Sequence, residues 1–191
     1  MGSNHTLVLK HSNPVEALEL REQILPVYAS SHSDQMHDPW FSPEQFWNRL
    51  VDIYAKTRDF DLVTGWIEDF VVGYAFGSPR DKEDLWESIH RVYPDMEPMG
   101  PVYIFREFAV SPSWQRRGFG TQIHDELLLG RPEQAAHLLV RPDNAPAQAV
   151  YESRGWKQIG QIKPFPDSPI FDALGLDLRA FRIHTHSAPP A

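Results

Sequence analysis

From Val102 to Leu129 the chain reads VYIFREFAV, SPSWQRRGFG, TQIHDELLL, and that order leaves few ways to fold. The first run is apolar, β-branched and aromatic, which predicts a strand, and Pro112 stops it. In the last run Phe119, Ile123 and Leu127 recur at helical spacing. That predicts a helix from about Trp114 to Leu129, closed by Gly130 and Pro132. A long strand feeding a helix through a glycine turn demands a core shared by strands and helices.

The turn itself carries a conflict. Gln115-Arg116-Arg117-Gly118-Phe119-Gly120 sets two cations at a helix start, the end whose partial positive charge disfavours them. An anion would resolve the conflict. Glycines let backbone N–H groups approach it, and the first turn of a helix offers unpaired donors. A P-loop would need Gly-Lys-Ser/Thr, which is missing, and a dinucleotide fingerprint would need a third glycine where Ile123 stands. Two readings stay open from spacing alone: a pyrophosphate held by main-chain groups, or a glycine turn with solvated arginines.

The remaining segments fit the same architecture. TLVLKH predicts a first strand and NPVEALELREQILPVYASS a helix, with Val15, Leu18, Ile24, Leu25 and Tyr28 on its inner side and Pro14 in its first turn. SHSDQMHDPW is polar and predicts a loop. Ser42 caps a helix with Pro43 first and Gln45 third, whose face is Phe46, Leu50 and Tyr54. Alternation about a Glu68-Asp69-Phe70 turn predicts a hairpin from Asp61 to Gly77. Residues 78–100 interrupt the pattern as an insertion, with a short amphipathic helix on Leu85, Trp86, Ile89 and Val92. AHLLV, WKQIGQI and IFDALGLDLRAFRI predict further strands, NAPAQAVYESRG a helix capped by Asn144, and residues 184–191 a flexible tail. The order β-α-α-β-β-insert-β-α-β-α-β-β describes one α/β domain over 1–191, an α+β sandwich.

Composition narrows the function. Six Trp and eleven Phe in 191 residues support a sizeable core. A mean hydropathy of −0.43 excludes a helical membrane span. No cationic, apolar leader is visible, so a cytoplasmic protein is expected. The opening MGSNHT formally fits a myristoylation pattern, but a short polar start is the plainer reading. Without cysteine there is no disulfide, thiolate metal site or cysteine nucleophile. A net charge of −8 argues against nucleic acid and is compatible with a cationic acceptor. Neither His32/His37 nor His184/His186 has a convincing third ligand, so no metal is expected.

FAVSPSWQRRGFGTQI resembles the acetyl-CoA signature of the GNAT superfamily of N-acetyltransferases, Q/R-x-x-G-x-G/A after a strand. NAPAQAVYESRGW is similar to the family's later motif: an asparagine, a small-residue helix, then Tyr-Glu-x-x-Gly-aromatic. The two motifs span about Phe105 to Trp156. The resemblance implies the GNAT fold, a central mixed, mostly antiparallel twisted sheet of about seven strands flanked by about four helices, with strands splayed around the cofactor.

It also implies the activity: transfer of the acetyl group of acetyl-CoA to a primary amine of a small molecule or protein, by direct attack in a ternary complex. Acetyl-CoA is the co-substrate. The pyrophosphate falls to Gln115, Arg116, Arg117, Gly118, Phe119, Gly120 and Thr121, and main-chain groups of Ala109 and Val110 meet the pantetheine and acetyl oxygen. Asn144 bonds the cofactor arm beside Ala147. Tyr151 stands at the family's general-acid position. Glu107 is the best carboxylate for a general base, although a bulge in such a strand leaves its face undetermined. Some relatives that act on protein N-termini carry a glutamate where this chain has Leu139, which argues against that substrate. The acceptor is expected near His37, Asp38 and Trp40, with His32 and Asp34 in the same loop, and an acidic rim at Asp81, Glu83, Asp84 and Glu87. A homodimer is compatible with all of this. The alternative function is a catalytically weak domain that binds acyl-CoA as a sensor or interaction module.

Overall fold

The computed structural model describes residues 6–81, 91, 92, 94, 95 and 100–187. Of the predicted insertion, the helix on Leu85, Trp86 and Ile89 and the acidic residues Glu83, Asp84 and Glu87 lie outside the described residues. The strands are β1 (Val8–Ser12), β2 (Asp61–Ile67), β3 (Phe70–Arg80), β4 (Val102–Val110), β5 (Ala135–Val140), β6 (Lys157–Ile162) and β7 (Phe171–Asp177). They form one mixed sheet in the order β1-β2-β3-β4-β5-β7-β6. Six helices accompany them among the described residues: α1 (Pro14–Glu19), α2 (Arg21–Ser31), α3 (Pro43–Asp52), α4 (Phe119–Leu129), α5 (Ala145–Ser153) and α6 (Leu178–Ser187). The expected number was about four. The chain divides into two compact units, one running up to Ser78 and resuming at Arg106–Leu128, the other made of Pro79–Phe105 and the chain from Leu129.

In the first unit β1 pairs antiparallel with β2, and β2 with β3 across a turn at Glu68-Asp69, with Phe70 of the predicted turn opening β3 instead. Glu68 takes a φ of 53°, as a tight hairpin requires. The single helix expected after β1 is two. Asn13 caps α1 through a reciprocal box with Glu16, and the chain breaks at Leu20, where φ is −92° and ψ is 18°. The break resets the helical phase, so Val15 and Leu18 face solvent while Ala17, Ile24, Val27 and Tyr28 are buried. Ser42 Oγ accepts the Gln45 N–H at the start of α3, as predicted, and Phe46, Trp47 and Leu50 turn inward. These residues close on Leu62, Tyr74, Phe76 and Ala109 in one core.

Helix α4 begins at Phe119 rather than Trp114. Pro112–Trp114 is a lone 3-10 turn, and both Arg116 (φ 59°) and Gly118 (φ 79°) have left-handed backbone that no α-helix continues. The predicted stripe of Phe119, Ile123 and Leu127 is buried, together with His124 and Leu128.

In the second unit Val102–Phe105 of β4 pair parallel with Ala135–Leu138 of β5. The pairs β5–β7 and β7–β6 are antiparallel. Val102, Ile104, Ala135, Ile159 and Ala173 form the core there. Asn144 caps α5 by accepting the Ala147 N–H at 3.2 Å. The last predicted strand ends at Asp177, whose carboxylate accepts from the N–H groups of Arg179 and Ala180 and starts α6. The segment read as a tail from His184 is helical through Ser187.

Candidate active site

The QRRGFG turn is an exposed loop from Gln115 to Gly118 ahead of α4. A Cβ at Gly118 would meet nothing within 4 Å, so this glycine serves its positive φ and leaves open space beside the backbone. Gly120 has a different reason: a Cβ there would stand 3.2 Å from Phe108 Cζ and 3.4 Å from Val110 Cγ2. It lets the helix start close against β4. Gln115 Nε2 donates to the Val110 carbonyl at 2.9 Å, folding the loop back on the strand. The Arg117 guanidinium lies 5.0 Å over the Trp114 ring. The first-turn N–H groups of α4 have no partner within the helix, as at any helix start. An open cradle, these donors and two exposed arginines fit an anionic group such as a pyrophosphate.

In the second unit Tyr151 is buried on α5, edge-on to Phe105 (6.4 Å) and Trp156 (6.0 Å). Two aromatic rings thereby fix its orientation. A cavity of about 500 Å³ in the same unit is lined by Gln148, Glu152, Trp156, Lys157, Gln158 and Asp172 and contains none of the expected site residues. Its buried carboxylate, Asp172, is held by the side-chain amides of Gln148, Gln158 and Gln161. It reads as structural.

Sequence alternation left the face of Glu107 undecided; the fold decides it. Glu107 shares its face of β4 with Ala109, which packs into the α2/α3 core, while Phe108 meets His124 of α4 on the other side. Its carboxylate lies 3.7 Å from His32 Nε2, with 23% of the Glu107 side chain and 16% of the His32 side chain exposed. Burial pushes the Glu107 carboxyl above its ordinary value, against the pull of His32 and Arg49 and a hydrogen bond from the Phe108 backbone. Burial also raises the phenols of Tyr28, Tyr54 and Tyr74, and the Glu107 charge adds to each. A carboxylate made more basic within a central strand is suited to taking a proton.

The loop residues expected to meet the acceptor are occupied with shaping the loop. Asp38 accepts the Trp40 N–H at 2.9 Å and caps a 3-10 turn, and His37 Nδ1 bonds the Asp34 carbonyl at 3.0 Å. Arg49 stacks 4.1 Å over Trp40. Gathered around Glu107 instead are His32, Tyr28, Arg49, Tyr54 and Tyr74. Of these, Arg49 and Tyr74 were not singled out in the sequence, and Tyr28 and Tyr54 were read only as helix-face residues. The signal available was the i, i+4 placement of Tyr28 and His32, whose rings stack at 4.2 Å. Among the described residues no group of three His, Asp or Glu could hold a metal ion, and no helix is long and apolar enough to cross a membrane.

The sequence pattern described as "Acetyltransferase (GNAT) family" matches residues 19–156, well over half of the chain. The chain belongs to the GNAT acetyltransferase family. No protein of curated function matches it in sequence. Solved structures similar to this GNAT protein include the ribosomal-protein-S18-alanine N-acetyltransferase from Escherichia coli, 16% identical, with a TM-score of 0.60 over 91% of this chain and 94% of that one. Another is NAA60 from Arabidopsis thaliana in complex with a bisubstrate analogue, 17% identical, TM-score 0.59, over 89% and 95%. A third is the PaiA N-acetyltransferase from Thermoplasma acidophilum in complex with coenzyme A, 9% identical, TM-score 0.56, over 90% and 99%. At these identities the likeness is one of fold, and it bears out the GNAT architecture expected from the two motifs.

Proposed function

We propose that this GNAT protein works as one acetyltransferase domain that transfers the acetyl group of acetyl-CoA to a primary amine of a small molecule or protein. The observation that carries this reading is Glu107, a carboxylate of raised basicity that faces the α2/α3 layer and still reaches solvent. Complexes of related folds with coenzyme A and with a bisubstrate analogue support the donor. Bound acetyl-CoA supplies an acyl carbon activated as a thioester.

The chain's residues do the rest. Gln115–Thr121 offer main-chain N–H groups and the Arg116 and Arg117 side chains to the pyrophosphate. Backbone groups of Ala109 and Val110 hold the arm of the donor. A backbone N–H at the end of β4 stabilises negative charge on the acyl oxygen. Glu107 accepts a proton from the amine; in the second unit, the Tyr151 hydroxyl, held by Phe105 and Trp156, is a group suited to protonate or hydrogen-bond a leaving sulfur. Much of the rate comes from holding a neutral amine in line with the acyl carbon.

Two measurements test the reading. Acetyl-CoA raises the melting temperature, and a screen of primary amines detects release of free CoA. An unchanged melting temperature at millimolar acetyl-CoA overturns it. Stabilisation with no CoA release from any amine leaves a binding module in place of an enzyme.

A further inference from the structure

His32 follows α2 directly, and its own N–H bonds the Tyr28 carbonyl. Its ring is clamped between Tyr28 (4.2 Å) and Phe41 (6.1 Å). Nδ1 lies 3.0 Å from the Tyr28 carbonyl oxygen and 3.0 Å from Ser31 Oγ. A carbonyl oxygen only accepts, so Nδ1 carries a hydrogen. Ser31 Oγ donates its own hydrogen to the same carbonyl at 3.0 Å, leaving a lone pair toward Nδ1. Both contacts select one tautomer. The lone pair of the neutral ring is then on Nε2, and Nε2 faces Glu107 Oε1.

At 3.7 Å the two atoms are too far apart for a direct hydrogen bond. In their unprotonated forms both are acceptors, so the space between them calls for a donor. A second sign lies near the same carboxylate. Tyr74 is wholly buried on β3, its ionisation is opposed by Glu107 and Tyr28, and its hydroxyl has no hydrogen-bond partner among the described residues. A buried hydroxyl left unmatched beside a carboxylate indicates a polar group that binds there.

We propose that His32 Nε2 and Glu107 Oε1 are the two arms of a clamp for the ammonium group of the acceptor, and that His32 Nε2 takes its proton. This rests on the amine-acetylating function proposed above. An ammonium nitrogen can lie about 2.8 Å from both acceptors at once. Glu107 balances its charge, and one N–H bond breaks as the proton passes to Nε2. The freed lone pair forms the C–N bond at the acyl carbon, the C–S bond breaks, and the thiolate leaves and takes a proton from solvent. The nitrogen loses its second proton to Glu107, and the imidazolium and the carboxylic acid then release their protons to solvent, which both side chains reach. The Nδ1–H tautomer leaves a free lone pair on Nε2 facing Glu107, and this assigns the first proton to Nε2. The other titratable or charged groups around the pair are Tyr28 on α2, Arg49 on α3, Tyr54 after α3 and Tyr74 on β3. Arg49 is a fixed cation, so the clamp suits an acceptor with a single ammonium near this point.

Nitrogen-15 NMR of the histidine rings in the full-length protein tests the clamp, with n-butylammonium as the probe. The expected result is a neutral Nδ1–H tautomer for His32 and an Nε2 resonance that moves on adding the probe at tens of millimolar. In Glu107→Gln that response is expected to be lost. An Nε2–H tautomer, or an Nε2 resonance indifferent to the probe, overturns the proposal. With n-butylamine as acceptor, His32→Gln is expected to lower kcat/KM about 100-fold and to change the shape of its pH profile. Its stabilisation by acetyl-CoA stays that of the unmodified protein. An unaltered pH profile counts against His32 as the base. Failure of acetyl-CoA to stabilise the unmodified protein defeats the proposed function instead, and the tautomer and probe response still decide the clamp. If His32→Gln fails to fold, those same two readouts decide.

Discussion

Gly65 of β2 and Gly73 of β3 stand opposite each other, and Ile123 of α4 occupies the space their side chains would need. A Cβ at Gly65 would lie 2.8 Å from Ile123 Cδ1, and one at Gly73 2.9 Å from the same atom. The helix thus lies unusually close to the hairpin. That closeness places its first turn, and with it the Gln115–Gly120 loop, against the end of β4, where Gly120 meets Phe108 and Val110.

The two glycines are not equivalent. At Gly65 the new methyl meets the tips of Ile123 and Leu7, which can turn away, whereas at Gly73 it also meets the Ala109 carbonyl oxygen at 2.9 Å. Gly73→Ala is expected to destabilise by about 2–3 kcal/mol and Gly65→Ala by about 1 kcal/mol. Shortening Ile123 to Val should recover part of the loss at Gly65 but little at Gly73. Chemical denaturation of the single and double variants measures both; equal rescue at the two sites contradicts this packing.

In the loop, Gly118→Ala puts a Cβ into open space but onto a φ of 79°, so its cost is conformational, about 1–2 kcal/mol. Arg116→Gly is the converse. It relieves a residue at φ 59° and should leave stability unchanged or higher, while weakening the stabilisation conferred by acetyl-CoA. Melting curves with and without acetyl-CoA separate these effects. A full acetyl-CoA shift in Arg116→Gly removes this arginine from the donor site.

Glu107 makes stability depend on pH with a definite sign. Its folded value is raised above the ordinary 4.5, so the folded chain holds this proton more tightly than the unfolded one. The stabilisation is fully present below about 4.5 and is lost as pH rises through the folded value. Glu107→Gln should therefore match the unmodified protein in acid and exceed it in stability at pH 8, while activity falls about 100-fold or more. Denaturation midpoints at the two pH values test this, and a variant less stable at pH 8 contradicts it.

His11 behaves in the same direction for another reason. Burial pulls its pKa down, but hydrogen bonds and charge from Asp61 (2.8 Å) and Glu126 (3.1 Å) outweigh it, and the net shift is upward from 6.5. The link between β1, β2 and α4 contributes fully below about 6.5 and is lost as pH rises through the folded value. With its side chain half exposed, the contribution is at most about 1 kcal/mol. His11→Gln should flatten this pH dependence of unfolding; an unchanged slope between pH 6 and 8 tells against it.

What could be read in advance was local. Periodicity placed β4, the buried stripe of α4 and the hairpin about Glu68-Asp69, and capping chemistry placed the starts of α3 and α5 at Ser42 and Asn144. Each depends on residues a few positions apart, so spacing alone carries the information. The Arg-Gly turn and the Tyr151 motif named the family for the same reason. The break at Leu20, the start of α4 at Phe119 and the helix through Ser187 depend on backbone conformation that spacing does not encode. The face of Glu107 and its meeting with His32 lay further still from view. They bring together α2 and β4, 75 residues apart along the chain, and only the packing of Tyr28, Phe46, Tyr74 and Ala109 into one core sets that distance.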